Sequence, residues 1–246
     1  MIIKRASPYE ALLIDLDGTL LDIDIEKFIP AYINLLWRKF DNLFSQGDFA
    51  SHLFGATSVM VENSNKTKKN KDVFYEEFTR RIGMAYEEIQ PLVDIFYRHD
   101  FPGLSCWGRE HPHARVVIET AKEQNLPLVL ATNPIFPATA VSQRLKWGGL
   151  DESDFLLVTS MDNMHSCKPK ADYYLEIAEK IGVAPDRCLM AGNDTVEDIS
   201  ATLAGMETFL VEDFILQRSG ENPTYDYRGS LEELALFLKH ITLSSR

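Results

Sequence analysis

Apolar residues recur along this chain in two textures. Between about Glu26 and Asp100 they fall three and four apart, the period of an amphipathic helix. Phe28, Ile29, Tyr32, Leu35, Leu36, Phe40, Leu43 and Phe44 form one such stripe, interrupted by Lys39, and Val73, Phe74, Phe78 and Ile82 form another. Ile89, Leu92, Val93 and Phe96 repeat it after a turn near Gly83. No strand-like alternation occurs here, so the stretch reads as helical throughout. Elsewhere, short unbroken apolar runs at 11–14, 126–131, 155–158, 188–191 and 208–211 alternate with helical stripes at 113–124, 136–146, 170–181, 195–203 and 230–240. Apolar runs without polar alternation, joined by helices, predict a parallel sheet buried on both faces. The expectation is an α/β fold: a Rossmann-like parallel sheet wrapped by helices over residues 1–22 and 106–246, with an all-helical domain inserted over 23–105. No internal repeat is visible.

Residues 62–72 interrupt the helical stretch with a polar, Asn- and Lys-rich segment that has no apolar face. It reads as a solvated loop between two helices. The alternative makes its four lysines an anion-attracting lip over a binding site.

Composition narrows the function classes more than the fold. With 246 residues, 45% hydrophobic and 25% charged, the chain suits a soluble core plus an insertion. Its 37 acidic against 25 basic residues give a net charge of −12, which argues against nucleic acid or an anionic membrane as main partner. An anionic substrate therefore needs a local positive site. Cys106, Cys167 and Cys188 are odd in number and widely spaced, so neither a disulfide framework nor a zinc cluster is expected and a reducing cytoplasm fits. Residues 1–10 carry no apolar signal-peptide core, and no run approaches the ~18 apolar residues of a membrane span. The reading is a cytoplasmic protein, neither secreted nor membrane-spanning, with the choice between monomer and homodimer open.

The chemistry-bearing residues cluster at the ends of the apolar runs. Asp15 and Asp17 follow the first run, and residues two apart on a strand share a face. Gly18 then allows a sharp turn. Two adjacent carboxylates call for a shared proton or a bound cation, and the acids further along the chain favour a hard divalent ion. Thr132 and Asn133 end the second run, where a hydroxyl and a backbone N–H can hold a phosphate oxygen; a helix cap is the plainer alternative. Lys168, before Pro169, opens a helix whose dipole opposes it unless an anion lies nearby. Asp194 and Asp198, in Gly192-Asn193-Asp194-Thr195-Val196-Glu197-Asp198, stand four apart, on one side of an expected helix, and with Asp15 suit a cation that prefers oxygen ligands. An N-cap aspartate followed by a surface acid accounts for the same residues. Gly103-Leu104-Ser105-Cys106-Trp107 misses the G-x-S-x-G elbow, no phosphate-binding P-loop is present, and His111-Pro112-His113 lacks the further ligands zinc needs.

Asp15-Leu16-Asp17-Gly18-Thr19-Leu20, followed in order by Thr132, Lys168 and the Asp194/Asp198 pair, resembles the four motifs of the haloacid dehalogenase-like (HAD) superfamily of phosphatases and phosphotransferases. The resemblance covers residues 10–22 and 110–212; the unmatched helical insertion looks like the family's type 1 cap. The chain departs from the common pattern at Asn193, between glycine and Asp194, which leaves either Asp194 or Asp198 as the direct metal ligand. The resemblance implies Mg²⁺-dependent hydrolysis of a small phosphorylated metabolite through an aspartyl-phosphate. In that scheme Asp15 is the nucleophile, Asp17 the acid/base, and Lys168 the partner of Asp15 and the phosphoryl group. Gly18, Thr132 and Asn133 bind phosphoryl oxygens, and Asp15, Asp17, Asp194 and Asp198 serve the metal. A halide leaving group needs neither acid nor metal, so Asp17 and the Asp194/Asp198 pair speak against dehalogenation. A phosphomutase, a phosphonate hydrolase and a non-catalytic binding protein of the same fold are the alternatives.

Overall fold

The computed structural model describes residues 9–218 and 224–243. Its sheet has six parallel strands: β1 (Ala11–Ile14), β4 (Leu128–Leu130), β5 (Leu157–Val158), β6 (Cys188–Gly192), β7 (Glu207–Val211) and β8 (Tyr227–Gly229), in the order β5-β4-β1-β6-β7-β8. β1 lies between β4 and β6, with Leu13 beside Val129 on one side and Met190 on the other. Alternate residues serve opposite layers, as a strand's period of two requires. Leu12 and Ile14 pack with α5 (Ala114–Glu123) and α8 (Leu231–Leu243), whereas Ala11 and Leu13 pack with Tyr173, Tyr174 and Ile177 of α7 (Ala171–Ile181). Strand order reverses at β1, so the crevice beyond its carboxyl end is the switch point where ligands bind in such sheets.

Between β1 and α5 the chain forms a short antiparallel ribbon, β2 (Leu21–Ile23) with β3 (Gly108–Glu110), and between those strands lie α1 (Ile25–Trp37), α2 (Gln46–Glu62), α3 (Asn70–Ile82) and α4 (Tyr86–Ile95). α4 runs on through a wider turn at Phe96–Asp100 and a tighter one at Phe101–Trp107. The first helical stripe was expected to reach Phe44, but α1 stops at Trp37. The chain turns there because the Trp37 indole N–H donates to the Phe44 carbonyl (2.8 Å) and Ser45 caps α2 by accepting from the Asp48 N–H (3.2 Å). Aromatic contacts join this helical segment to the sheet layer: Phe101 stacks on Trp147 of α6 (Ala138–Trp147) with ring centres 5.3 Å apart, and Tyr32 meets Phe136 at 5.3 Å. The expected helix over 195–203 is replaced by a turn and a short 3-10 helix, Ile199–Ala204, because the Asp194 side chain accepts the N–H groups of Val196 (2.8 Å) and Glu197 (2.9 Å).

The 62–72 segment is exposed where it bends, and three of its four lysines are spent on neighbouring acids. Lys66 pairs with Asp172 (2.7 Å), Lys68 with Glu76 (2.5 Å) and Lys71 with Asp162 (3.2 Å). None of the four lines the acid-rich crevice described below, so they form no lip over it. At the segment's end the polar reading breaks down. Asn70 is wholly buried, its amide nitrogen within 3.2–3.3 Å of the Pro134 carbonyl, the Ser166 carbonyl and the Cys167 sulfur. Asn70 thus pins the start of α3 to the two loops that carry Asn133 and Lys168.

Removing a buried donor leaves its acceptors unpaired, whereas an exposed ion pair contributes little. Asn70→Ala is therefore expected to lower unfolding free energy by about 1–3 kcal/mol, and Lys66→Ala to change it by less than about 0.5 kcal/mol. Urea titrations of the two variants against the parent decide the matter, and equal losses would contradict the clamp.

Candidate active site

A cavity of about 230 Å³ opens at the switch point. Asp15 and Asp17 reach it from the end of β1, Thr132 and Asn133 from the end of β4, and Asn193, Asp194, Glu197 and Asp198 from the turn after β6. Phe28 and Ile29 of α1 and Phe136 also line it. Lys168 stands behind these groups, 1% exposed, its ammonium donating to Asp15 Oδ1 (2.8 Å) and Asp198 Oδ1 (2.6 Å). The acids picked out from separate parts of the sequence therefore share one cavity wall, and the lysine bonds to two of them from behind it.

Burial opposes the ammonium charge of Lys168, but Asp15 and Asp198 together outweigh it and hold its pKa well above the ordinary value. Burial likewise pushes the Asp198 carboxyl up, with Lys168 pulling against it. Asp17 follows the same pattern: burial raises its pKa, opposed chiefly by the Arg144 guanidinium, and Asp15 adds to the rise. Arg144 Nη1 donates to Asp17 Oδ2, while Asp17 Oδ1 is buried without a hydrogen-bond partner among the described residues. The guanidinium also lies 4.5 Å from the centre of the Phe136 ring, a cation–π contact.

Two close approaches fix the glycines. A Cβ on Gly18, at φ +80°, would lie 2.3 Å from Asn193 Nδ2, and one on Gly192 would lie 2.2 Å from Asp198 Oδ2. Both positions let a polar side chain sit against bare backbone. The expectation that the Gly18 amide faces a phosphate is not met here, because that N–H donates to the Leu21 carbonyl (2.8 Å) and Gly18 does not line the cavity. Thr132 and Asn133 do line it; the Thr132 carbonyl accepts from the Tyr173 hydroxyl (2.9 Å), and Asn133 Nδ2 donates to Glu197 (2.9 Å).

Sequence reasoning passed over Arg144, Glu197 and Arg218. Arg144 had a legible signal, since it follows Ala140 and Val141 at helical spacing on the buried stripe of α6 and is 1% exposed. Arg218 had none, because it arrives on an irregular segment that folds back over the β6 turn, where Leu216 bonds with Asn193 and Thr195. Its guanidinium donates to Asp194 Oδ2 (2.7 Å) and Glu197 Oε1 (2.9 Å).

These donors suit a hard divalent cation in kind. Five carboxylates, of Asp15, Asp17, Asp194, Glu197 and Asp198, line or approach the cavity against three cations, Lys168, Arg144 and Arg218, and a buried Asp17 oxygen is unpartnered. Yet among the described residues no three His, Cys, Asp or Glu side chains converge closely enough to form a cage. A ligand set made only of side chains is thus not preformed: Asp194 faces Arg218, and Asp198 faces Lys168 and the Asp194 N–H (2.9 Å). The fit is one of donor chemistry, with Asp194 the more open of the pair.

The chain is 30% identical over 174 residues to the Bacillus subtilis protein described as "Putative phosphatase YhcW", covering 68% of this chain and 74% of that protein. In fold it is similar to a HAD phosphatase from Thermococcus onnurineus, with a TM-score of 0.57, 22% identity, and 93% and 97% of the two chains covered. It is similar also to the L-2-haloacid dehalogenase of Xanthobacter autotrophicus, with a TM-score of 0.55, 16% identity, and 94% and 98% covered. Residues 9–204 match the haloacid dehalogenase-like hydrolase family, and the chain, with its parallel sheet and strand-end aspartates, belongs to that family.

Proposed function

We propose that the protein hydrolyses a phosphate monoester of a small metabolite through an aspartyl-phosphate on Asp15. The observation that carries this reading is the position of Asp15 itself: 8% exposed at the end of the central strand, one oxygen on Lys168, and facing a cavity shared with Asp17 and Thr132. In the first half-reaction an Asp15 oxygen forms a bond to phosphorus as the bond to the leaving oxygen breaks. Asp17 gives that oxygen a proton, a task suited to a carboxyl whose pKa burial has raised. In the second, water attacks phosphorus, the Asp15–phosphorus bond breaks, and Asp17 takes the water's proton. Arg144 holds Oδ2 of Asp17 and leaves Oδ1 as the oxygen that exchanges the proton.

Lys168 orients Asp15 and meets the charge on the phosphoryl oxygens, with Thr132 and Asn133 across the cavity. An excess of two carboxylates over cations would repel a phosphate; Asp15, the Asp17 main-chain carbonyl and Asp194 would hold Mg²⁺, which would supply the missing positive charge. The helical segment 23–105, docked over the crevice through Phe28 and Ile29, acts in this reading as a cap that favours a small substrate over a polymer. The free thiols of Cys106, Cys167 and Cys188 are compatible with a reducing cytoplasm. Among the described residues no helix is long and apolar enough to cross a membrane.

Release of inorganic phosphate from an alkyl or aryl phosphate in the presence of Mg²⁺ tests the proposal. Asp15→Asn is expected to lose about 10⁴-fold or more of kcat and Asp17→Asn about 10²–10⁴-fold, with the circular dichroism of both unchanged. Undiminished turnover in Asp15→Asn would exclude the covalent route, and transfer of the phosphoryl to a second sugar hydroxyl in place of water would make the enzyme a mutase. Stability provides a separate check on the buried charges. Lys168→Met leaves Asp198 and Asp15 without their shared partner and is expected to cost about 3–5 kcal/mol, and adding Asp198→Asn is expected to return part of that loss. A cycle in which the second change makes matters worse would show that Lys168 is not the charge that keeps Asp198 buried.

A further inference from the structure

A second cavity lies against the first, inside the helical segment. About 90 Å³ of it is open to the centre of a water-sized sphere, and Ile29, Ile135 and Phe136 line both cavities. The rest of its wall comes from all four inserted helices, with Leu36, Leu53, Phe74 and Val93 as examples, and from Met161 on the sheet side. Among the described residues no charged side chain lines it.

Its hydroxyls are mostly spoken for. Thr57 donates to the Leu53 carbonyl (2.9 Å), and Tyr32 and Tyr97 bond to each other (3.0 Å), which leaves Tyr75 as the remaining wall hydroxyl among the described residues. A sugar phosphate brought here would lose hydrogen bonds from each of its hydroxyls to water and find almost nothing in exchange. A hydrocarbon group would lose nothing and leave water. The neighbouring acid-rich cavity is the opposite case, since charge and hydrogen-bond donors concentrate there. A molecule that spans both is an amphiphile with a phosphoryl head and an apolar body.

We infer that the substrate is the phosphate monoester of an apolar alcohol or phenol, its hydrocarbon part seated in the inner cavity past Ile29 and Phe136. This specifies the substrate class and rests on the hydrolytic reading given above. The cavity is finite, so the gain from lengthening the hydrocarbon is expected to end within the series tested below. With Thr57, Tyr32 and Tyr97 bonded within the wall, the Tyr75 hydroxyl alone is left among the described residues to meet a polar group on that part, so selection is chiefly by length and apolarity.

The test is a chain-length series on the unaltered protein with Mg²⁺: methyl, butyl, hexyl and decyl phosphate, with glucose 6-phosphate beside them. Each methylene is expected to raise kcat/KM about fourfold up to hexyl, with little further gain at decyl and with glucose 6-phosphate no better than methyl phosphate. Calorimetry of the non-hydrolysable methyl- and hexylphosphonates gives a readout that needs no turnover, and the hexyl compound is expected to bind far more tightly. A flat series with sound hydrolysis, or a preference for the sugar phosphate, overturns the apolar subsite and leaves the phosphatase reading intact. Tight hexylphosphonate binding without hydrolysis of any ester upholds the subsite and overturns the phosphatase reading; weak binding without hydrolysis overturns both. Val93→Phe, which brings a ring into the inner cavity, is expected to flatten the series by weakening the hexyl compounds selectively.

Discussion

A single ammonium group, that of Lys168, lets the ends of β1 and β6 meet at the centre of the sheet. It bridges Asp15, the first residue beyond β1, and Asp198, in the turn beyond β6, at 2.8 Å and 2.6 Å with 1% exposure. Without it, two carboxylates would be buried side by side in a poorly screened crevice, which costs about 3–5 kcal/mol. The surroundings are shaped to admit this bridge. Gly192 has no side chain, so Asp198 can lie against β6; Tyr174 donates to the Glu197 carbonyl (2.6 Å) and holds the same turn from α7. Such a bridge is weak evidence for stability, since apolar replacements of similar size often do as well. Its value is positional, because it fixes one oxygen of Asp15 and leaves the other to the cavity.

The same logic extends outward to Arg144 and Arg218. The three cations divide the five acids among them without overlap: Lys168 takes Asp15 and Asp198, Arg144 takes Asp17, and Arg218 takes Asp194 and Glu197. The pairings differ in how firmly they are held. Arg144 is 1% exposed and packed on Phe136, whereas the Arg218 side chain is about half exposed, so its ion pairs are screened by water and cheap to break. Of the two acids after β6, Asp194 is therefore the one that can change partners at low cost, while Asp198 is committed. This ordering follows from burial and bears on the ambiguity that Asn193 introduces into the motif.

Much of the sheet was legible in the sequence because buried parallel strands leave an unmistakable trace. The unbroken apolar runs at 11–14, 188–191 and 208–211 correspond to β1, β6 and β7 within a residue. The order of Asp15, Thr132, Lys168 and Asp194 along the chain was legible too, since each follows an apolar run or opens a helix. What escaped detection had weak local signals. β2, β3 and β8 are three residues each, too short for alternation to register. α2 had a readable stripe, Phe49, Leu53, Ala56 and Met60, though Gly47, Gly55, Thr57 and Ser58 dilute it. Asn70 looked like one more polar loop residue; its burial depends on carbonyls of Pro134 and Ser166 far along the chain, which no local pattern encodes. Arg144 is the instructive case, because a basic residue on an apolar helix stripe is an anomaly visible in one dimension, yet its partner Asp17 lies 127 positions away.

The two adjoining cavities set out a division of labour that follows from chain order. The acid-rich cavity is built by loops at strand ends, whose positions the sheet's hydrogen bonding fixes. The apolar one is built largely by the inserted helices, which touch the sheet layer through side-chain packing and the Asn70 clamp. Packing tolerates volume-conserving exchange, whereas a buried ion-pair network does not tolerate the loss of one member. Substitutions in Leu36, Leu53 or Val93 can therefore reshape the apolar cavity without disturbing Asp15. Phe136 stands apart because it belongs to both constraints. Its ring is shared wall to the two cavities and also the platform beneath Arg144 at 4.5 Å, so whatever fills the apolar side bears on the residue that holds Asp17. Through that one ring, the packing of the apolar cavity and the Arg144–Asp17 pair are mechanically adjacent.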